Sequence, residues 1–167
     1  MTDERDILHC LLVPLVGRRL ILPRACVAEV IALGRFKLRE EGPEWLLGDV
    51  AWSDRVVPLV SFESACGDPV PELGGRSRAV ILRSLTGRLG RGGMAMLCQG
   101  LPQLVRVAPD AIQLDEEAPP IGDAPVLCRV NVAGETPIVP DLEMLEQRIA
   151  ELLEGESGEA SAETSLT

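Results

Sequence analysis

The feature that most constrains this chain is residues 45–62, where two extended apolar segments flank a short polar break. Asp49 to Trp52 reads as one strand and Val56 to Val60 as the next, joined through Ser53, Asp54 and Arg55. Extended runs separated by a polar turn predict a β-hairpin. Pro58 lies inside the second run. A proline has no N–H to give a ladder, so strands tolerate it at an edge or a bulge. The pattern therefore predicts an edge hairpin, where another protein can dock. No residue of the hairpin stands out as a catalytic group, which favours a binding module over an enzyme.

The same grammar runs along most of the chain. Residues 7–15 are nearly continuously apolar, as in a buried strand, and 20–22 return after a turn at 16–19. Pro23 can open a helical turn, its fixed φ suiting the first position. Residues 25–30 read equally as a short helix or a strand entry, since periodicity does not decide over so few residues. Residues 34–43 read as loop, and Phe62 to Cys66 as one helical turn stopped by Gly67. The Pro/Gly-rich segment 68–76 reads as a boundary between sub-structures. Strands are predicted at 78–82, 93–98 and 104–107. The glycine-rich 86–92 lacks the Lys-Ser/Thr of a phosphate-binding loop and reads as a hairpin connection. Residues 108–125 are acidic and proline-rich, a loop. A second hairpin is predicted over 126–132 and 136–139, around Ala133, Gly134 and Glu135.

The C-terminal segment changes period. Leu142, Leu145, Ile149, Leu152 and Leu153 fall on one face of a helix. Asp141 can cap it, Glu143 favours its positive end, and Gly155 can stop it. The spacing predicts an extension over 1–6, a folded unit over 7–153 and a disordered acidic tail over 154–167. The fold class is all-β, in two similar halves with a terminal α-helix.

Composition excludes several functions. With two Phe, two Trp and no Tyr in 167 residues, the core is Val, Leu and Ile. The net charge of −10 is uneven: residues 141–167 carry −7, leaving −3 for residues 1–140. No cluster of Lys and Arg offers phosphate neutralisation, so no nucleic-acid partner is expected. Lys37 is the only lysine; the other basic residues are Arg, which suits protein–protein contacts. The cysteines at 10, 26, 66, 98 and 128 show no C-x-x-C spacing, and His9 is the only histidine. A structural metal site and a disulfide framework both lack support, and small buried thiols in a reducing cytosol are expected. A hydrolase needs a nucleophile, a base and an orienting acid, and the one histidine lies in an apolar strand. Asp115, Glu116 and Glu117 are sequence neighbours in a loop, as in a solvated charge run. No catalytic residue and no cofactor is assigned. The N-terminus carries no apolar segment behind a basic start, and no apolar run is long enough to span a bilayer. No direct membrane insertion is expected.

Three stretches together resemble the CheW-like chemotaxis coupling family. Gly48 to Phe62 aligns without a gap on the family's Gly-Val-Ile-Asn-Leu-Arg-Gly-Arg-Val-Ile-Pro-Val-Ile-Asp-Leu. Val27-Ala28-Glu29-Val30 is similar to its Val-x-Glu-Ile, and Leu97 to Leu104 to its Val-Val-Asp-x-Val-x-x-Val. Order and spacing over residues 7–153 carry the resemblance. The Leu22-Pro23 pair, the Trp45-Leu-Leu-Gly48 run and Val57 to Glu63 look more like the ChpC-type branch serving type IV pilus signalling.

The resemblance implies two small five-stranded β-barrels and a cytoplasmic adaptor without catalysis. Its implied partners are the regulatory domain of a CheA-type histidine kinase and the cytoplasmic tip of a chemoreceptor. It implies interface positions at Val27, Glu29, Ser53 and Leu104. The turn departs from the family: Ala51, Trp52, Ser53 and Asp54 stand where Asn, Leu, Arg and Gly are usual, and Gln99 replaces an Asp. A partner-contacting cation has become Ser53 beside an acid, Asp54, a change that alters partner choice. Trp52 either compensates as a contact residue or alternates into a barrel core. The competing expectation is a small-ligand or peptide sensor that uses the cleft between barrels without a kinase.

Overall fold

The computed structural model describes residues 4–90 and 92–165, with side chains as far as Glu156. Residues 1–3 of the predicted extension, Arg91 of the glycine-rich loop and the last two residues of the predicted tail lie outside it. Among the described residues, twelve strands form two six-stranded sheets. In chain order they are β1 Leu8–Leu15, β2 Arg18–Pro23, β3 Val27–Ala32, β4 Lys37–Leu38, β5 Leu46–Trp52, β6 Arg55–Val60, β7 Arg78–Leu82, β8 Met94–Cys98, β9 Gln103–Val107, β10 Ile112–Leu114, β11 Val126–Val132 and β12 Ile138–Pro140. The helices are α1 Phe62–Ala65 and α2 Leu142–Ser165.

The two sheets are nested. One runs β3-β7-β8-β6-β5-β4, wholly from the middle of the chain; the other runs β10-β11-β12-β2-β1-β9, from both ends. The 68–76 loop, predicted as a boundary, instead joins two stretches of the same sheet. The first and last parts of the chain meet where β12 pairs with β2 in parallel, Ile138 opposite Leu20.

Strict alternation explains how one strand serves two cores. On β7, Ala79 and Ile81 face a core inside the central sheet, while Val80 and Leu82 face a second core that also holds residues of the other sheet and α2. On β8, Ala95 and Leu97 take the first direction and Met94, Met96 and Cys98 the second. On β1, Cys10 and Leu12 enter a third core within the outer sheet, and Val13 and Leu15 enter the shared one. Strands buried on both faces read as continuous apolar runs, which is why 7–15 and 93–98 showed no polar alternation. Leu142, Leu145 and Ile149 of α2 complete the shared core, and Asp141 caps the helix, its Oδ1 accepting the Met144 N–H at 3.0 Å.

Several predictions change. The hairpin over 45–62 is present, but β6 is internal, between β5 and β8. Its parallel pairing to β8 covers only Leu59 and Val60, so Pro58 sits just before that ladder begins and no N–H is demanded of it. Residues 25–30 resolve into a 3₁₀ turn, Arg24–Cys26, and the start of β3. Two predicted loops each hold a short strand. β4 pairs with β5 so closely that a Cβ on Gly48 would lie 2.0 Å from the Lys37 carbonyl oxygen. β10 pairs with β11 through Ile112, Gln113 and Leu114. Runs of two or three residues are too short to show a period.

The helix stop predicted at Gly155 is corrected as well. Backbone helix continues through Gly155 to Ser165. One glycine lowers helix propensity by roughly 1 kcal/mol, which a long helix already anchored by its apolar face absorbs. Beyond Gly155, Glu156 pairs with Arg39 from the segment after β4, which ties the helix to the central sheet.

Candidate docking surfaces

The Glu29 carboxylate lies on β3, at one end of the central strand order, and Trp52 ends β5, with three strands between them. They nevertheless touch: the Trp52 indole N–H donates to Glu29 Oε2 at 2.7 Å. The sheet therefore curls toward closure, and this bond spans its mouth. The Trp52 body packs on the core inside that sheet with Phe36, Leu33 and Leu47. The Arg55 guanidinium sits 5.7 Å from the centroid of its ring, a cation–π distance. Trp52 is thus partly buried against the barrel core, with its indole N–H held at the mouth by Glu29.

Ser53 and Asp54 form the exposed turn between β5 and β6. Ser53 has φ 55°, the left-handed region that a side chain enters at a cost of about 1 kcal/mol or more. Asp54 Oδ1 lies 3.5 Å from Arg55 Nε. The mouth of this barrel therefore presents two carboxylates, Glu29 and Asp54, one guanidinium and an indole.

Val27 and Leu104 belong elsewhere. Val27 opens β3 and lines an open groove of about 490 Å³ with Ile7, Leu8, His9, Ala28 and Arg83. Leu104 is 54% exposed on β9, an edge strand, opposite Leu11 of β1. The same β1–β9 pairing carries Leu8 opposite Val107 and His9 opposite Arg106. The six candidate residues fall into a mouth group (Glu29, Trp52, Ser53, Asp54), a groove residue (Val27) and an edge residue (Leu104).

Two buried carboxylates were missed. Glu146 of α2 has no exposed surface, and its oxygens accept the Leu85 N–H at 2.6 Å, the Thr86 N–H at 2.9 Å and the Thr86 hydroxyl at 2.6 Å. It anchors the glycine-rich β7–β8 connection to the helix. Its signal was present: position 146 falls within the stripe of Leu142, Leu145 and Ile149, where an acid has no reason to be unless something pairs with it. Glu63 of α1 is also buried and accepts the Val16 N–H at 3.2 Å, joining α1 to the β1–β2 turn. Arg18 pairs with Asp68 beside it.

The cysteines are free thiols. Burial pushes the Cys98 thiol up to about 11 from 9.0, and burial also raises Cys10, Cys26 and Cys66. High thiol pKa values disfavour the reactive thiolate. Among the described residues, no group of three or more His, Cys, Asp or Glu is placed to hold a metal ion, and no helix is long and apolar enough to cross a membrane.

Residues 9–147 match the model of the CheW-like domain. The chain belongs to the CheW-like family. A solved relative in fold is the scaffolding protein TtCheW from Thermoanaerobacter tengcongensis, with a TM-score of 0.66 and 15% sequence identity over 80% of this chain and 83% of that one. No curated protein matches the chain by sequence. The two-sheet CheW-like fold with its C-terminal helix is thus established, and the strands of residues 45–62 and 126–140 lie within the matched segment.

Proposed function

We propose that this CheW-like chain is a non-catalytic adaptor that couples chemoreceptors to a CheA-type histidine kinase, in the cytoplasm, in a chemosensory system controlling type IV pilus motility. The observation that carries the reading is the CheW-like match over residues 9–147. The geometry supports it: the exposed groups cluster on open surfaces suited to contact. The barrel mouth, Glu29 with Trp52, Ser53 and Asp54, is assigned to the kinase regulatory domain. The Val27 groove and the Leu104 edge are assigned to the receptor tip. A scaffold with two faces transmits signal as coupling free energy between them.

At the mouth, the loss of the family's arginine to neutral Ser53 beside Asp54 changes which partner is accepted as much as how tightly. The test is capture of a purified kinase regulatory domain and a receptor tip by the wild type, Trp52→Ala and Ser53→Arg. Trp52→Ala is expected to weaken kinase capture and spare the receptor, and Ser53→Arg to broaden kinase choice. Equal capture of every fragment by all three proteins removes the mouth from the interface. Turnover of any compound by the purified chain refutes the adaptor reading itself.

A further inference from the structure

We propose that the glycine-rich connection between β7 and β8 is a docking loop for a short carboxylate-rich segment of a partner protein. Residues 73–109 are the longest stretch of the chain without an Asp or Glu, in a sequence that holds 26 of them. Within that stretch, the connection 83–93 carries Arg83, Arg88 and Arg91. Arg83 and Arg88 are exposed, and so is Leu85 between them. Among the described residues, no carboxylate pairs with the Arg88 guanidinium. On a chain of net charge −10, this loop is a local basic island, and such an island attracts groups of the opposite sign.

The loop is built rather than loose. Buried Glu146 accepts the N–H groups of Leu85 and Thr86 and the Thr86 hydroxyl. The Ser84 hydroxyl oxygen accepts the Gly87 N–H at 3.1 Å, and the Thr86 hydroxyl oxygen accepts the Arg88 N–H at 3.2 Å. Gly93 closes the loop at φ 72°, where a Cβ would lie 2.0 Å from the Leu82 carbonyl oxygen. The backbone that carries Arg88 is therefore set before any partner arrives, which lowers the ordering cost of binding. A link of about two to five residues would suffice to join these antiparallel strands, so the length, the anchor and the arginines all exceed what a connection needs.

The neighbourhood of Arg88 selects the occupant. An open cleft of about 350 Å³ lies beside it, lined by Arg88, Leu89, Ala150, Leu153 and Glu154. The cleft sets an apolar floor next to a cation, which matches a segment that carries apolar residues among its acids. The planar fork of an arginine meets a carboxylate with two parallel hydrogen bonds. A nucleic acid or an anionic bilayer fits less well. Tight binding to either draws on many clustered cations, and α2 carries Glu151, Glu154 and Glu156 along the same stretch of helix. An extended polyanion would run into that like charge, whereas a short acidic segment meets little more than Glu154.

The test titrates a short synthetic peptide of repeated Glu-Glu-Leu, and its neutral Ser-Ser-Leu counterpart, into the full chain by NMR. The Glu peptide is expected to bind, to move the amide signals of Leu85, Gly87, Arg88 and Leu89, and to weaken as salt rises. Arg88→Gln combined with Arg91→Gln is expected to weaken it about tenfold. Arg88→Gln alone, at an exposed side chain, is expected to give about a threefold loss with an unchanged melting temperature. Glu154→Gln removes the acid beside the cleft and is expected to strengthen binding about twofold. Equal binding of the two peptides, signals moving away from the loop and α2, or unchanged affinity in the double variant overturns the proposal. Tighter binding of a DNA duplex or of phosphatidylserine vesicles than of the Glu peptide also overturns it, and makes the loop a phosphate-binding element instead.

Discussion

Glu146 is the side chain whose removal the structure prices most clearly. Its carboxylate has no solvent exposure and accepts three hydrogen bonds, all from Leu85 and Thr86. Glu146→Gln keeps the shape but turns one acceptor oxygen into an NH₂. If the amide oxygen faces Thr86, the NH₂ meets the Leu85 N–H, donor against donor; the opposite flip sets it against two donors. The better flip loses one charge-assisted bond and neutralises the others. A hydrogen bond to a charged group is worth about 1.5–3 kcal/mol, so the expected cost is about 2–3 kcal/mol. For a domain of this size that is a melting shift of roughly 5–10 °C. Glu146→Ala removes the acceptor outright and is expected to cost about 3–5 kcal/mol, with some relief where water reaches the loop. Urea unfolding gives the free energy, and amide exchange at Leu85 and Thr86 locates it. Glu146→Gln within 0.5 kcal/mol of wild type, or unchanged protection of both amides, refutes the anchoring argument (the threshold is roughly the scatter of surface substitutions).

Two further outcomes are expected. Gly48→Ala places a Cβ 2.0 Å from the Lys37 carbonyl oxygen, so β4 must leave β5; the cost is about 2–3 kcal/mol, read by urea unfolding, with lost protection of the Arg39 amide that donates to Leu47. Because burial raises Cys98 from 9.0 to about 11, its contribution is fully present below pH 9 and is lost as pH rises through 11, by about 2 kcal/mol at pH 11. Stability curves of wild type and Cys98→Ala should therefore converge between pH 9 and 11, and parallel curves would exclude the buried thiol as the cause.

Much of the local structure was legible. The hairpin over 45–62, the helical turn before Gly67, the hairpin around Gly134 and the capped helix from Leu142 all follow from turn residues and period, which act over a few positions. The strands β4 and β10 were not, because two or three residues carry no period. The Gly155 stop failed because the helix is already anchored by its apolar face in the shared core, which outweighs the cost of one glycine. Of the six candidate interface residues, sequence spacing had no means of showing that Glu29 and Trp52 meet, or that Leu104 lies on a different sheet from both.

The amino-acid order alone determined that this chain is built of short strands with aliphatic faces and one amphipathic helix, since side-chain alternation and turn chemistry are properties of neighbouring residues. It did not determine which alternate set enters which of three cores, or that the two ends of the chain enclose the middle. Those were decided by pairings such as Ile138 with Leu20 and by the burial of Glu146 against a distant loop. Such contacts form because each apolar face and each buried charge must find a partner somewhere in the whole molecule, and no local pattern names that partner.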